Sequence, residues 1–113
     1  MNNIKVEIER SEDKAIIHLQ GLLDAHNAVM FSDALNKVIA EGLVKIIVNF
    51  ENLEYLGSSG LEVILSKIRS LREKGGDIRL ASMSPKIFRI FDLLGLSTFF
   101  KIFGSVDEAT KSF

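Results

Sequence analysis

Apolar and polar residues alternate at the start of the chain, with Ile4, Val6 and Ile8 set against Lys5, Glu7 and Glu9. That period of two is the mark of a half-buried strand. Ser11-Glu12-Asp13-Lys14 reads as a turn and Ala15 to Gln20 as a second strand; so short a connection implies an antiparallel hairpin. His18 falls on the face opposite Ile17 and Leu19, exposed or satisfied at an edge. The period then changes. Val29, Phe31, Ala34, Leu35, Val38 and Ile39 recur at helical spacing, with Asp24 as the expected N-cap and Gly42 just past the end. Lys45 to Phe50 is apolar and β-branched enough for a central strand covered on both faces, and Glu51 to Leu56 reads as a loop anchored by Leu53 and Leu56.

Helical spacing returns with Leu61, Ile64, Leu65, Ile68 and Leu71, the polar face being filled by Glu62, Lys67, Arg69 and Arg72. This helix runs from Ser58-Ser59 to about Lys74, one of the serines serving as N-cap, and Gly75-Gly76 stops it. Asp77 to Ala81 supplies another strand. Ser84-Pro85 announces a further helix, with Ser at the cap and Pro at the first helical position, where its missing N–H costs nothing. Ile87, Phe88, Ile90, Phe91 and Leu94 follow up to Gly95, a face broad enough to leave Phe88 or Ile90 as an exposed contact. Phe99 to Phe103 reads as a last strand, and Ser105 to about Ser112 as a short helix capped by Ser105. The order β-β-α-β-α-β-α-β-α predicts an α/β fold with a mixed, mainly parallel sheet of about five strands, about four helices and right-handed crossovers.

Composition narrows the function more than the fold. The chain of 113 residues, 47% hydrophobic and 26% charged, reads as one domain spanning 1–113. With 14 basic and 15 acidic side chains its net charge is −1, which supplies no field to recruit nucleic acid or an anionic membrane. The absence of cysteine removes disulfides, thiolate nucleophiles and cysteine-ligated metals. Met1 to Glu7 carries charges where a leader needs an apolar run, and no stretch has the roughly 18 apolar residues of a span, so a cytoplasmic location is expected.

The candidate chemistry sits in Gly57-Ser58-Ser59-Gly60-Leu61, where a strand hands over to a helix. A helix N-terminus carries about half a positive charge and unpaired N–H groups, so an anion placed there is well received. The two hydroxyls are therefore either ordinary capping groups or a phosphorylatable site. Asp24, His26 and Asn27 form a second polar cluster after a strand, either capping groups or the border of a contact surface, since partners of open α/β sheets gather at the carboxyl ends of strands. No phosphate-cradling glycine loop and no G-x-S-x-G elbow occurs, the run being Gly-Ser-Ser-Gly. The two histidines form no zinc-type spacing. Neither a metal nor a cofactor is expected. A hydrolase in which His26 activates a serine lacks an identifiable orienting carboxylate.

Leu56-Gly57-Ser58-Ser59-Gly60-Leu61 in its β-loop-α setting resembles the STAS domain of anti-sigma factor antagonists, in which Asp-Ser-Ser/Thr-Gly-Leu opens the second helix. Gly21-x-Leu23-Asp24, Gly75-Gly76, Ser84-Pro85 and Phe91-x-x-x-Gly95-Leu96 match the family in the same order. The resemblance implies a compact domain whose successive βα units wind around a mixed sheet. It also implies a binding protein rather than an enzyme, whose partner is an anti-sigma factor with serine kinase activity. The kinase phosphorylates the first hydroxyl of the motif, here Ser58 with Ser59 as second candidate, and a phosphatase reverses it. The implied contact residues are Asp24, His26, Asn27, Gly57, Ser58, Ser59, Gly60 and Glu62. Gly57 departs from the family pattern, which has Asp there and so a carboxylate that accepts backbone hydrogen bonds and repels a neighbouring phosphate. The alternative function is an unphosphorylated STAS interaction module of another signalling or transport complex, with Ser58 only starting the helix.

Overall fold

The computed structural model describes residues 3–113. Met1 and Asn2, the first residues of the segment read as too charged for a leader, lie outside the described residues. Five strands and four helices follow as β1 (Ile4–Ser11), β2 (Lys14–Leu23), α1 (Ala28–Ala40), β3 (Lys45–Leu56), α2 (Ser58–Glu73), β4 (Asp77–Ala81), α3 (Pro85–Leu93), β5 (Ile102–Phe103) and α4 (Val106–Lys111). The sheet order is β1-β2-β3-β4-β5, with β1 antiparallel to β2 and every other pair parallel. The expected alternation of strands and helices, and the mixed sheet with β3 at its centre, are therefore present.

The period of two divides the sheet into two unequal faces. Ile17 and Leu19 of β2, Ile46, Val48 and Phe50 of β3, and Ile78 and Leu80 of β4 face a core closed by α1, α2 and α3. Ile16, Ile47 and Ala81 face the other way, onto Ala109 of α4. Because α4 is only six residues long, it leaves part of that second face open. There His18, half-buried, lies between Glu9 and Asn49: Nε2 is 2.9 Å from Glu9 Oε1, and Nδ1 is 2.9 Å from Asn49 Nδ2. Asn49 Oδ1 accepts from the Glu51 N–H at 3.1 Å, which turns its amide nitrogen toward the ring. Nδ1 must then accept, so the proton of the neutral ring sits on Nε2 and is donated to Glu9. His18 is satisfied on an open sheet face rather than at an edge.

Two elements differ from the sequence expectation. Glu51 to Leu56 is the second half of β3 rather than a loop. From the His18–Asn49 pair to the Gln20–Asn52 pair β3 advances three residues while β2 advances two, and a second extra residue follows between the Gly21–Leu53 and Leu22–Tyr55 pairs. Each bulge breaks the period of two, so Leu53 and Leu56 are buried at a spacing of three that does not read as a strand. The last strand is also shorter than expected. Only Ile102 and Phe103 pair with β4; the Phe99 and Phe100 N–H groups both turn back to the Leu96 carbonyl at 3.1 Å, and Phe100 plugs the core instead.

The capping signals at Ser84 and Ser105 act as expected, each side chain accepting from the N–H three residues on. Past α2, the Gly76 N–H bonds to the Leu71 carbonyl at 2.8 Å, with Gly75 at φ +83° supplying the left-handed turn. The β1–β2 turn is clasped to the start of β3 by Asp13, which accepts from Lys14 Nζ at 3.0 Å and Lys45 Nζ at 2.9 Å. The hydrogen bond from Lys45, and then that from Lys14, hold the Asp13 carboxyl at about 2 against an ordinary 3.8.

On acidification the unfolded chain takes up this proton first. The stabilisation from Asp13 is therefore complete above its unfolded value and lost as pH falls toward 2. In urea unfolding between pH 5 and 2, the wild type is expected to hold an advantage over Asp13→Asn at the upper end that closes at the lower end. The group is fully exposed, so salt should shrink the gap. A gap independent of pH would rule out the clasp.

Candidate functional site

Leu23 closes β2 and Leu56 closes β3, and the two are paired in register. The segments that follow therefore leave the sheet side by side at the carboxyl ends of neighbouring parallel strands. A hydrogen bond from the Gly57 N–H to the Leu23 carbonyl, 2.9 Å, ties one segment to the other.

In the first segment the Asp24 carboxylate accepts from the His26 N–H at 2.9 Å, a turn built from a side chain and the backbone two residues on. Asn27 Oδ1 accepts from the Asp24 N–H at 3.0 Å, and Asn27 Nδ2 donates to the Leu22 carbonyl at 2.9 Å. Asn27, 2% exposed, thus shapes the loop from inside, while His26 is exposed and Asp24 half-buried. The expected N-cap at Asp24 is corrected: Asn27 occupies that position of α1 and makes no side-chain cap bond. Asp24 is spent on its own turn, three residues too early to reach the helix.

In the second segment the N-cap of α2 is Gly57, in extended backbone at φ −87°, and no side chain caps the helix. The expectation that a serine would cap is therefore corrected by one position. Ser58 and Ser59 are the first two helical residues, and neither hydroxyl caps the helix. Ser58 is exposed and Ser59 half-buried. The first backbone bonds of α2 run from the Gly60 and Leu61 N–H groups to the Gly57 carbonyl, at 3.2 and 3.3 Å. The N–H groups of Ser58 and Ser59 thus precede the helical ladder.

Gly60 explains how the serines are held so near both strand ends. It is buried, and a Cβ there would lie 2.6 Å from Leu23 Cδ2 and 2.9 Å from Leu56 Cδ1. Only a residue without a side chain lets the helix start rest on both leucines. Glu62, exposed, follows Ser58 by one turn, and the exposed Leu65 continues the same face.

Two residues of this surface, Val29 and Leu65, are placed in apolar helical stripes by the sequence pattern but are exposed. Val29 is 62% exposed in the first turn of α1. It lies two residues from buried Phe31, about 200° around the helix, and that arithmetic is the signal that separates it from the core. Tyr55, 48% exposed at the end of β3, lies over Gly57: the Cβ position of that glycine is 3.3 Å from Tyr55 Cε2.

The assembled surface is polar with a few apolar knobs. Among the described residues no hydrogen bond joins either serine hydroxyl to His26, whose N–H is bonded to Asp24. Among them too, no group of three metal-ligating side chains is close enough to hold an ion, and no helix is long and apolar enough to cross a membrane.

The STAS domain profile matches residues 5–109. An anti-sigma F factor antagonist of Paenibacillus polymyxa is 30% identical over 111 residues, covering 97% of this chain and 92% of that one. The chain superposes on the anti-sigma factor antagonist SpoIIAA in its unphosphorylated form with a TM-score of 0.83 and 26% identity, over 96% of this chain and 95% of that one. On the phosphorylated form of SpoIIAA, described as a Bacillus cell fate determinant, the TM-score is 0.76 at 27% identity, over 96% and 98%.

Proposed function

Because the chain belongs to the STAS domain family, we propose that it is an anti-sigma factor antagonist whose grip on its partner is released by phosphorylation of Ser58. The partner is an anti-sigma factor with serine kinase activity, and a phosphatase restores binding. The protein acts in the cytoplasm by contact rather than catalysis. The contact surface comprises Asp24, His26, Gly57, Ser58, Ser59 and Glu62, with Asn27 and Gly60 shaping it from beneath. The observation that carries this reading is the placement of Ser58, exposed as the first residue of α2 next to the loop after β2. Similarity to a protein solved in both unphosphorylated and phosphorylated forms supports it.

The mechanism follows from charge and position. A phosphate adds about −1.5 to −2 charges and bulk at the centre of the surface. The chain itself tolerates it, since the group sits beside an uncapped helix N-terminus with its partial positive charge. A partner that meets Ser58 with apolar or acidic groups must desolvate or repel the phosphate, and about 2.8 kcal/mol of that lowers affinity 100-fold. Gly57 carries no carboxylate to compete with the phosphate for the N–H groups of the first turn.

Incubation with the cognate anti-sigma kinase and ATP is expected to add one phosphate per chain, abolished in Ser58→Ala. Ser58→Asp should weaken partner binding by roughly 100-fold while leaving the fold intact. Labelling that survives Ser58→Ala would move the site to Ser59 or beyond it. Full binding by Ser58→Asp would point instead to the unswitched interaction module.

A further inference from the structure

The opposite end of α2 carries a feature unrelated to Ser58. Where α2 ends and β4 begins, Arg72, Asp77, Arg79, Thr98, Phe99 and Lys101 line an open concavity of about 430 Å³. Two guanidinium groups converge on one carboxylate there: Arg72 Nε donates to Asp77 Oδ1 at 2.8 Å and Arg79 Nε to Oδ2 at 3.2 Å. Each fork is fixed by a second bond, from Arg72 Nη2 to the Phe99 carbonyl and from Arg79 Nη1 to Ser112 Oγ, both 2.8 Å. Each also lies over an aromatic ring, Arg72 4.6 Å from the centre of Phe99 and Arg79 4.0 Å from that of Phe113.

These bonds leave Arg72 Nη1 and Arg79 Nη2 without a partner among the described residues, and Lys101 Nζ likewise. Three cations face one carboxylate, a local excess of two positive charges in a chain whose net charge is −1. The C-terminus of α2 contributes about half a negative charge, too little to cancel it. Glu73 and Arg69 both line the adjoining hollow and together add no net charge.

We propose that this concavity binds a small phosphoryl anion, with Arg72 and Arg79 as preset forks and Lys101 as the flexible third cation. The two forks are held before any ligand arrives, so little side-chain freedom is lost on binding. Donors approaching from three side chains suit the separate oxygens of a tetrahedral phosphoryl group better than a planar carboxylate. The Thr98 hydroxyl adds a neutral donor on the same wall. The phosphoryl group belongs either to free phosphate or to a phosphorylated small molecule.

The test is a ¹⁵N chemical-shift titration at constant ionic strength with inorganic phosphate, pyrophosphate, glucose 6-phosphate and, as a carboxylate control, polyglutamate. Saturable shifts of the Arg72 and Arg79 Nε–H signals and of the Thr98 and Lys101 amides are expected, with the Ser58 and Ser59 amides unmoved. The strongest phosphoryl probe distinguishes free phosphate from an ester. Lys101→Glu, a change at an exposed residue that leaves the Asp77 bonds in place, should weaken that binding roughly tenfold or more. Shifts that stay linear, that spread over surface lysines, that persist unchanged in Lys101→Glu, or that polyglutamate alone produces would overturn the assignment.

Discussion

Asp77→Ala is expected to cost about 3 kcal/mol of folding stability, at the lower end of the range for removing one partner of a buried ion pair. Asp77 is 5% exposed, and its carboxylate receives the Ile78 N–H at 2.9 Å as well as the two guanidinium groups. Without it the Arg79 charge stays nearly buried and uncompensated, its side chain being 11% exposed. The Arg72 side chain, at 34%, turns to water more readily, which keeps the loss from the upper end of the range. In a chain of 113 residues the melting temperature should fall by roughly 12 °C. Asp77→Asn keeps an acceptor for Ile78 and should lose about half as much. Amides of the last turn should exchange faster in both variants, because Arg79 also holds Ser112 and Phe113. A loss under about 1 kcal/mol for Asp77→Ala, within the range of an exposed pair, would show that the three charges are not coupled.

Phe91→Ala should cost about 3–5 kcal/mol, the usual range for emptying a buried aromatic site. Phe91 is fully buried and stands edge-on to two other rings, with centroids 6.2 Å from Phe50 and 5.6 Å from Phe100. Such pairs add about 0.5–1.5 kcal/mol beyond burial itself. The nine residues of α3 bury only Ile87 and Phe91, so losing one anchor leaves the helix held by the other and by its Ser84 cap. Phe91→Leu refills most of the space and should cost roughly half as much. In Phe91→Ala, hydrogen exchange should rise first in α3 and the Leu96–Phe100 turn. Uniform exchange across the sheet would mean that α3 does not open on its own.

Much of this architecture was legible because burial here follows simple periods. The β1–β2 hairpin, the α1 and α2 stripes, the β-branched central strand and the Ser84-Pro85 cap each carry their signal within a few residues. The pattern failed where a contact from far along the chain overrode the local period. The bulges opposite β2 turned the end of β3 into something loop-like, and Phe100 left its strand run to meet Phe91. At the site, motif residues were nameable from their order, but capping was misplaced by one residue at α2, because a glycine in extended backbone starts that helix as well as a serine does.

The chain's own order of residues determined the alternation of elements, the two clusters flanking the strand ends, and the lack of thiol or metal-ligand patterns. These depend on local spacing and residue type. Only the tertiary structure decided that Leu23 and Leu56 end in register, that Gly60 lets α2 rest on both, that Val29 and Tyr55 face outward, and that Arg72, Arg79 and Lys101 meet around Asp77. Those facts depend on distances between residues far apart in the chain, which sheet register sets and no local period records.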